Sequence, residues 1–316
     1  MSRTHAAMTT WGILIAFAHA VSWGATSVLL RHLSLRLDVF VLNGLRALLG
    51  AVVVVAWFLA AGVPGGTTLT SGKMLIIVAS IVVGGLLGDT CNVVALRLIG
   101  VSRAVPLTSS FPVFTVLFAF LLWGDTPSPL AILGALLVVG GAALLSSSER
   151  DAEPARPREG GSAVRAEVAR RHRSLGLLLA AATAAAWGLE TVLTAIAAEG
   201  TTTLAVNAVR VPTAALLSLT VALRRPGAFD AAQRALRNRS TMWGLILASL
   251  LGWVVGSTLY VESIKLVGVT LTATIGATAP LYAAPLSALL LREPPSALTV
   301  VGTLLAVAGV ILVIAI

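Results

Sequence analysis

Residues 23–46, WGATSVLLRHLSLRLDVFVLNGLR, return at 187–210 as WGLETVLTAIAAEGTTTLAVNAVR. Trp23-Gly24 meets Trp187-Gly188, and Asn43-x-x-Arg46 meets Asn207-x-x-Arg210, both at an offset of 164. After a four-residue insertion in the second half the offset becomes 168. Gly88 then meets Gly256, Gly100-Val101 meets Gly268-Val269, and Pro112 meets Pro280. In the same register Asp125 meets Glu293, Ser128 meets Ser296, and Gly134 meets Gly302. A self-match held this far along the chain identifies two copies of one fold, which decides the architecture before any single element is assigned.

What each copy is made of follows from composition. The 316 residues are 57% hydrophobic and 11% charged, with a mean hydropathy of +0.96. An ordinary soluble domain is about 45–50% apolar and about 25% charged. One water-soluble core cannot hide so much apolar surface, so the chain belongs in a bilayer. A helix crossing the roughly 30 Å hydrocarbon layer needs about 20 residues. Ten segments meet that length: 11–30, 38–61, 74–96, 104–123, 128–147, 175–197, 203–223, 241–264, 270–291 and 296–316. These runs are continuously apolar and about twice as long as a barrel strand, which excludes strands. The first run is long enough to span and no small-residue cleavage site follows it, so it is expected to be a retained helix rather than a signal peptide.

Pro64-Gly65-Gly66, Arg225-Pro226-Gly227 and Glu293-Pro294-Pro295 punctuate the breaks between runs. Residues 149–174 are dense in both charge signs and hold Pro154 and Pro157. They read as a flexible or weakly helical linker between a first repeat at 1–148 and a second at 175–316. Five spans per copy is an odd number, so the second copy must enter the membrane from the opposite side. The expected fold is an all-α integral membrane protein of ten transmembrane helices in two inverted five-helix repeats.

Composition also excludes function classes. A single cysteine, Cys91, leaves no disulfide framework, CxxC redox site or thiolate metal cage. Four histidines without HExxH offer no metal site, and no GxxxxGK[ST] loop is present to bind ATP phosphates, so no cofactor is expected. Intramembrane proteolysis would need a second Asp at the depth of Asp89, or a GxSxG nucleophile, and neither occurs. The net charge of +9 resides in arginines of short loops, without the interleaved aromatics of a nucleic-acid patch.

Several matched residues resemble the EamA-type ten-helix branch of the drug/metabolite transporter superfamily. They are Arg46 and Arg210 early in the second helix of each copy, and Pro112 and Pro280 in the fourth. The strongest is an acid-turn-glycine pattern: Gly124-Asp125 followed by Gly134 and Gly140-Gly141, repeated as Arg292-Glu293 followed by Gly302 and Gly309. The resemblance covers nearly the whole chain outside the linker. It implies a secondary transporter of small metabolites, in many members an exporter. Asp125 stands where Glu is more usual. Members usually keep both ends in the cytoplasm, and here the loop charges point the other way. One set of alternating loops holds 17 arginines, against Arg3, Lys73 and Lys265 on the other side. The positive-inside rule then places 149–174 in the cytoplasm and both termini outside an inner (plasma) membrane.

Ionisable residues at membrane depth are expensive and need a reason. His19, Asp89, Glu190 and Arg210 lie well inside spans, with Arg46 and Glu262 nearer the ends. Arg46 and Arg210 recur in both copies and read as structural, snorkelling or binding a neighbour's carbonyls. Asp125 and Glu293 read as caps on the following Pro-containing helix starts. Asp89 and Glu190 differ, because the repeat matches them with Ser257 and Thr26. A site specialised for one substrate would show such asymmetry. The alternative is that each acid is buried in a pair with an arginine such as Arg46 or Arg210. Glu190, in Trp187-Gly188-Leu189-Glu190-Thr191, is also similar to the membrane glutamate of the small multidrug resistance proteins, which binds protons and cations.

Helical phase groups further candidates. His19, Ser22, Trp23 and Thr26 form one stripe, and Thr183, Trp187, Glu190 and Thr194 another. Asp89 shares a face with Asn92, Ser257 with Tyr260, and Thr274 with Thr278. Hydroxyls of this kind also serve as ordinary packing glue. Trp23 and Trp187 could offer a face to an apolar or cationic substrate. The expected pathway is Glu190, Asp89, Trp23, Trp187, Asn92, Thr26, Tyr260, Ser257 and His19. The expected function is a proton-coupled exporter of amino-acid-like or amphipathic metabolites, monomeric or homodimeric. A non-transporting membrane scaffold or sensor is the alternative. The lack of a cluster of membrane-depth arginines argues against phosphate esters and nucleotide sugars.

Overall fold

Inside a bilayer a backbone must close its own hydrogen bonds, and the chain does this with helices. The computed structural model describes residues 3–62, 69–124, 162–291 and 297–314, together with Pro129, Leu130, Leu133, Gly134, Leu137, Gly140, Gly141 and Leu144. Among the described residues there is no strand. The first half contains α1 (Arg3–Ser34), α2 (Val39–Ala60), α3 (Ser71–Ser80), a π-helical segment (Ile81–Gly88), α4 (Asp89–Ile99), α5 (Val101–Thr108) and α6 (Phe111–Trp123). The second contains α7 (Ser162–Ala198), α8 (Thr203–Leu223), α9 (Ala228–Arg237), α10 (Arg239–Ser249), a second π segment (Leu250–Gly256), α11 (Ser257–Gly276), α12 (Ala279–Leu291) and α13 (Ala297–Ile314).

Among the described residues, seven helical runs are long and apolar enough to cross a membrane: Thr9–Ser34, Val39–Ala60, Ser71–Ile99, Val101–Trp123, Glu167–Ala198, Thr203–Leu223 and Arg239–Gly276. Ala279–Leu291 and Val300–Gly309 are shorter apolar helices. Within the expected span 128–147 every described residue is helical. Asp125, Glu293 and residues 149–161 lie outside the described residues.

Local chemistry accounts for most of the ends. Asp38 caps α2 through Phe40 N–H, Thr202 caps α8 through Ala205 N–H, and Asn238 caps α10 through Thr241 N–H. Gly100 (φ 77°) and Gly268 (φ 81°), matched by the repeat, turn the chain in the left-handed region that glycine tolerates. Gly268 kinks α11 with non-helical backbone between the expected segments 241–264 and 270–291, as Gly100 separates α4 from α5. The fourth helix of each copy breaks instead ahead of its proline, at Ser109-Ser110 before Pro112 and at Ala277-Thr278 before Pro280. Proline has no N–H to continue a ladder. Helix α7 begins at Ser162, inside the stretch read as a linker, where good helix formers and a Glu167–Arg171 pair at 2.7 Å support it.

The two halves exchange contacts in matched pairs. A Cβ on Gly12 would meet Leu266 and Val267, and one on Gly176 would meet Leu98 and Ile99. Gly24 abuts Tyr282 and Ala283, while Gly188 abuts Phe114 and Thr115. His19 Nδ1 donates to the Gly256 carbonyl at 3.1 Å, and Thr183 Oγ1 donates to the Gly88 carbonyl at 3.2 Å. Each contact is the other with the repeats exchanged. Helices α2 and α8 pack against each other, Gly44 facing Leu219 and Gly50 facing Val211, so they run antiparallel. Trp11, Trp57, Trp123 and Trp243 are exposed near the ends of the long runs, where indoles anchor at a membrane interface.

Candidate functional site

Asp89 is the first residue after the first π segment, and Arg46 reaches it from α2 in a buried ion pair. Asn43 Oδ1 accepts from Arg46 Nε at 3.1 Å. Trp187 Nε1 donates to Asp89 Oδ1 at 3.2 Å, and the Trp253 ring lies 5.4 Å from the Arg46 guanidinium. Arg46 is only 1% exposed, so its charge depends on these partners. In the second half Arg210 forms a buried ion pair with Glu190 and donates from Nη1 to Ser257 Oγ at 3.2 Å. Ser257 in turn donates to Asn207 Oδ1 at 2.8 Å. The Tyr260 ring sits 5.6 Å from the Arg210 guanidinium, and its hydroxyl donates to Thr191 Oγ1 at 2.7 Å.

These groups meet at one cavity of about 100 Å³ between the two halves. Its lining includes His19, Trp23, Asp89, Trp187, Glu190, Ser257 and Tyr260 of the expected pathway. Two expected residues lie elsewhere. Thr26 is fully buried and donates to the Ser22 carbonyl, and Asn92 is buried outside the lining. Trp23 and Trp187 meet edge to face with centroids 4.9 Å apart, and Phe111 completes the aromatic group.

Arg46 and Arg210, read as structural residues that snorkel or bind a neighbour's carbonyls, instead form the buried pairs with Asp89 and Glu190 that stood as the alternative reading of those acids, and both line the cavity. The reading that no membrane-depth arginines cluster fails, since the fold brings these two to one space from positions 164 apart in sequence. Both guanidiniums are neutralised. Trp253, Phe111 and Thr191 were also missed. Trp253 lies in the second π segment, where a 3.6-residue period does not carry side-chain direction forward.

The acids follow a rule that the aligned halves hide. Each arginine has one carboxylate, supplied by the third helix in the first half (Asp89) and by the first helix in the second (Glu190). The exchanged positions carry hydroxyls: Ser257 on Arg210, and Thr26 beside Gly252, next to Arg46. Gly84 makes room for the Glu190 carboxylate, and Gly88 makes room for the Trp187 indole. Both acids therefore gather where α4 and its π segment meet α7. The equivalent contact, between α1 and the second π segment, presents hydroxyls.

The cavity lies between the two repeats, lined by two acid–arginine pairs. The family model described as the EamA-like transporter family matches the chain twice, over residues 10–147 and 174–315. The chain belongs to the EamA-like transporter family. It is a multi-pass membrane transporter of the drug/metabolite transporter superfamily, and the two matched stretches are the two repeats. A solved crystal structure of a protein 22% identical to this EamA-like chain shares its fold, with a TM-score of 0.59 over 96% of both chains. No curated protein matches it.

Proposed function

We propose that this EamA-like protein is a proton-coupled exporter of small metabolites, amino-acid-like or amphipathic. Ten spans in two inverted repeats rock about the cavity, with the 149–174 segment in the cytoplasm and both termini outside. The observation that carries this reading is the single cavity between the repeats, onto which both Asp89 and Glu190 face together with the arginines that hold them. Neither acid is matched by an acid in the other repeat, and the reciprocal contacts and the antiparallel α2 and α8 support the inversion.

Coupling follows from competition for a carboxylate. Glu190 takes a proton from outside and releases it inside, with Asp89 as partner. A protonated Glu190 loses its hold on Arg210, which keeps Ser257 and the Tyr260 ring. A cationic or hydrogen-bonding group of the substrate competes with proton and guanidinium for the same oxygens. That competition supplies the differential affinity that exchange requires. Substrates are found by comparing metabolites in medium and cytosol of overexpressing cells. Accumulation is then measured in proteoliposomes under an imposed proton gradient. Glu190→Gln is expected to abolish proton-driven accumulation while leaving downhill exchange; Asp89→Asn gives a comparable loss if the two acids share the task, and little if Asp89 serves only to hold Arg46. Accumulation that stays proton-driven with both substitutions combined overturns the assignment of coupling to these acids.

A further inference from the structure

The connection between α8 and α10 carries arginines that the matching stretch of the first half does not. Residues 61–70 join α2 to α3, and 224–238 join α8 to α10. The second connection is five residues longer, four from the insertion between the repeats and one because α8 ends a residue earlier in the repeat register, and α9 occupies it. Residues 61–70 contain no Lys or Arg. The second connection and the first residue of α10 carry Arg224, Arg225, Arg234, Arg237 and Arg239, with Asp230 as the one acid among residues 224–239. Arg225 is engaged, pairing with Asp38 at 3.1 Å and lying 4.3 Å over the Phe40 ring. The other four arginines are exposed.

Helix α9 has three faces. Ala228 and Ala235, seven residues apart, are buried in the core that holds Leu37, Leu42 and Leu245. Phe229 and Leu236, again seven apart, are exposed at 69% and 42%. Arg234 and Arg237, three apart, share the polar face. Water gives no reason for the exposed phenyl ring to recur with Leu236 along one stripe. At the rim of a bilayer the same stripe reaches the acyl chains while the guanidiniums meet phosphates. Leu223 at the end of α8 and Trp243 one turn after Arg239 are also exposed, extending the apolar surface on both sides of α9.

We propose that α9, with Arg224, Arg234, Arg237 and Arg239, is an interfacial helix that binds the phosphate headgroups of anionic phospholipids while Phe229 and Leu236 insert among the acyl chains. Guanidinium pairs with phosphate in a two-point geometry that the ammonium of a neutral lipid opposes. The duplicated scaffold does not require these arginines, since residues 61–70 of the first half contain none. Helix α9 joins α8, which carries Arg210, to the α10 and π segment that carry Trp253. A bound lipid therefore steadies the second half's share of the cavity wall.

The test is independent of substrate and coupling. The purified chain in neutral detergent is titrated with phosphatidylglycerol, phosphatidylcholine or inorganic phosphate while thermal unfolding is followed. Phosphatidylglycerol is expected to raise the unfolding midpoint, and the other two to leave it in place. Arg234→Gln, Arg237→Gln and Arg239→Gln are each expected to raise the half-saturating phosphatidylglycerol concentration roughly fivefold. The triple variant is expected to unfold like the parent without lipid and to gain nothing from phosphatidylglycerol. The single variants decide the matter should the triple variant not fold. An unchanged response in the variants overturns the proposal, as does equal stabilisation by phosphatidylcholine or inorganic phosphate.

Discussion

Arginine does not give up its proton in a protein, so wherever the fold buries one it must also bring an acceptor. Arg46 and Arg210 meet that demand from opposite ends of the repeat, one through Asp89 and the other through Glu190. The arginine position is shared and the position of its acid is not. Removing one partner of a buried pair leaves an uncompensated charge, at a cost of about 3–5 kcal/mol. Arg210→Gln alone and Glu190→Gln alone should each destabilise the protein on that scale. The double variant should lose less than the sum. Thermal unfolding in detergent measures the cycle, and strictly additive losses would show that the pair is not coupled. Transport separates the roles further, because only a group that exchanges its partner during the cycle alters proton-driven accumulation when neutralised.

The π segments act at the scale of the element. Each sits immediately before the third-helix position that faces an arginine, Asp89 in one half and Ser257 in the other. A π turn inserts a residue into an α ladder and so sets the direction of every side chain beyond it. The segments differ in what their matched glycines touch. A Cβ on Gly84 would overlap the Glu190 carboxylate, whereas on Gly252 it would meet the Thr26 methyl at 3.2 Å and Arg46 Nη1 at 3.4 Å. Gly84→Ala should therefore force Glu190 from Arg210, costing about 1–3 kcal/mol by overpacking and impairing proton-driven transport. Gly252→Ala should cost less, because its nearest neighbours stand at 3.2 Å and 3.4 Å and need give only by a few tenths of an ångström. Equal effects of the two alanines on stability and transport would refute this account of the asymmetry.

For the whole molecule the outstanding quantity is orientation. Contacts gather the arginines of alternate loops at one end: Arg31 donates to the Arg97 carbonyl and Arg225 pairs with Asp38. Lys73 meets the Glu199 carbonyl and Thr201 at the other end. If the arginine-rich end is cytoplasmic, a cysteine at Gly72 in a Cys91→Ala background should react with an impermeant reagent in intact cells. A cysteine at Gln233 should react only after permeabilisation. The reverse pattern would place both termini inside and turn the proposed proton path around.

Much of this was legible in the chain itself. Hydropathy determines that the elements are spanning helices, because hydrocarbon offers the polar backbone of an apolar segment no hydrogen-bond partners outside itself. The recurrence of Trp-Gly and Asn-x-x-Arg determines that there are two copies, because duplication preserves spacing. The buried stripe of Thr183, Trp187, Glu190 and Thr194 was readable from helical phase. Tertiary structure decided the rest. A buried ion pair depends on distance in space, and nothing in the spacing of residues 46, 89, 190 and 210 says which acid each arginine will hold. The π turns also shift helical phase, so side-chain direction beyond Ile81 and Leu250 could not be carried forward from a 3.6-residue period. The amphipathic α9 has too few residues to register as a span, and only its contacts with the bundle leave the phenyl and guanidinium faces outward.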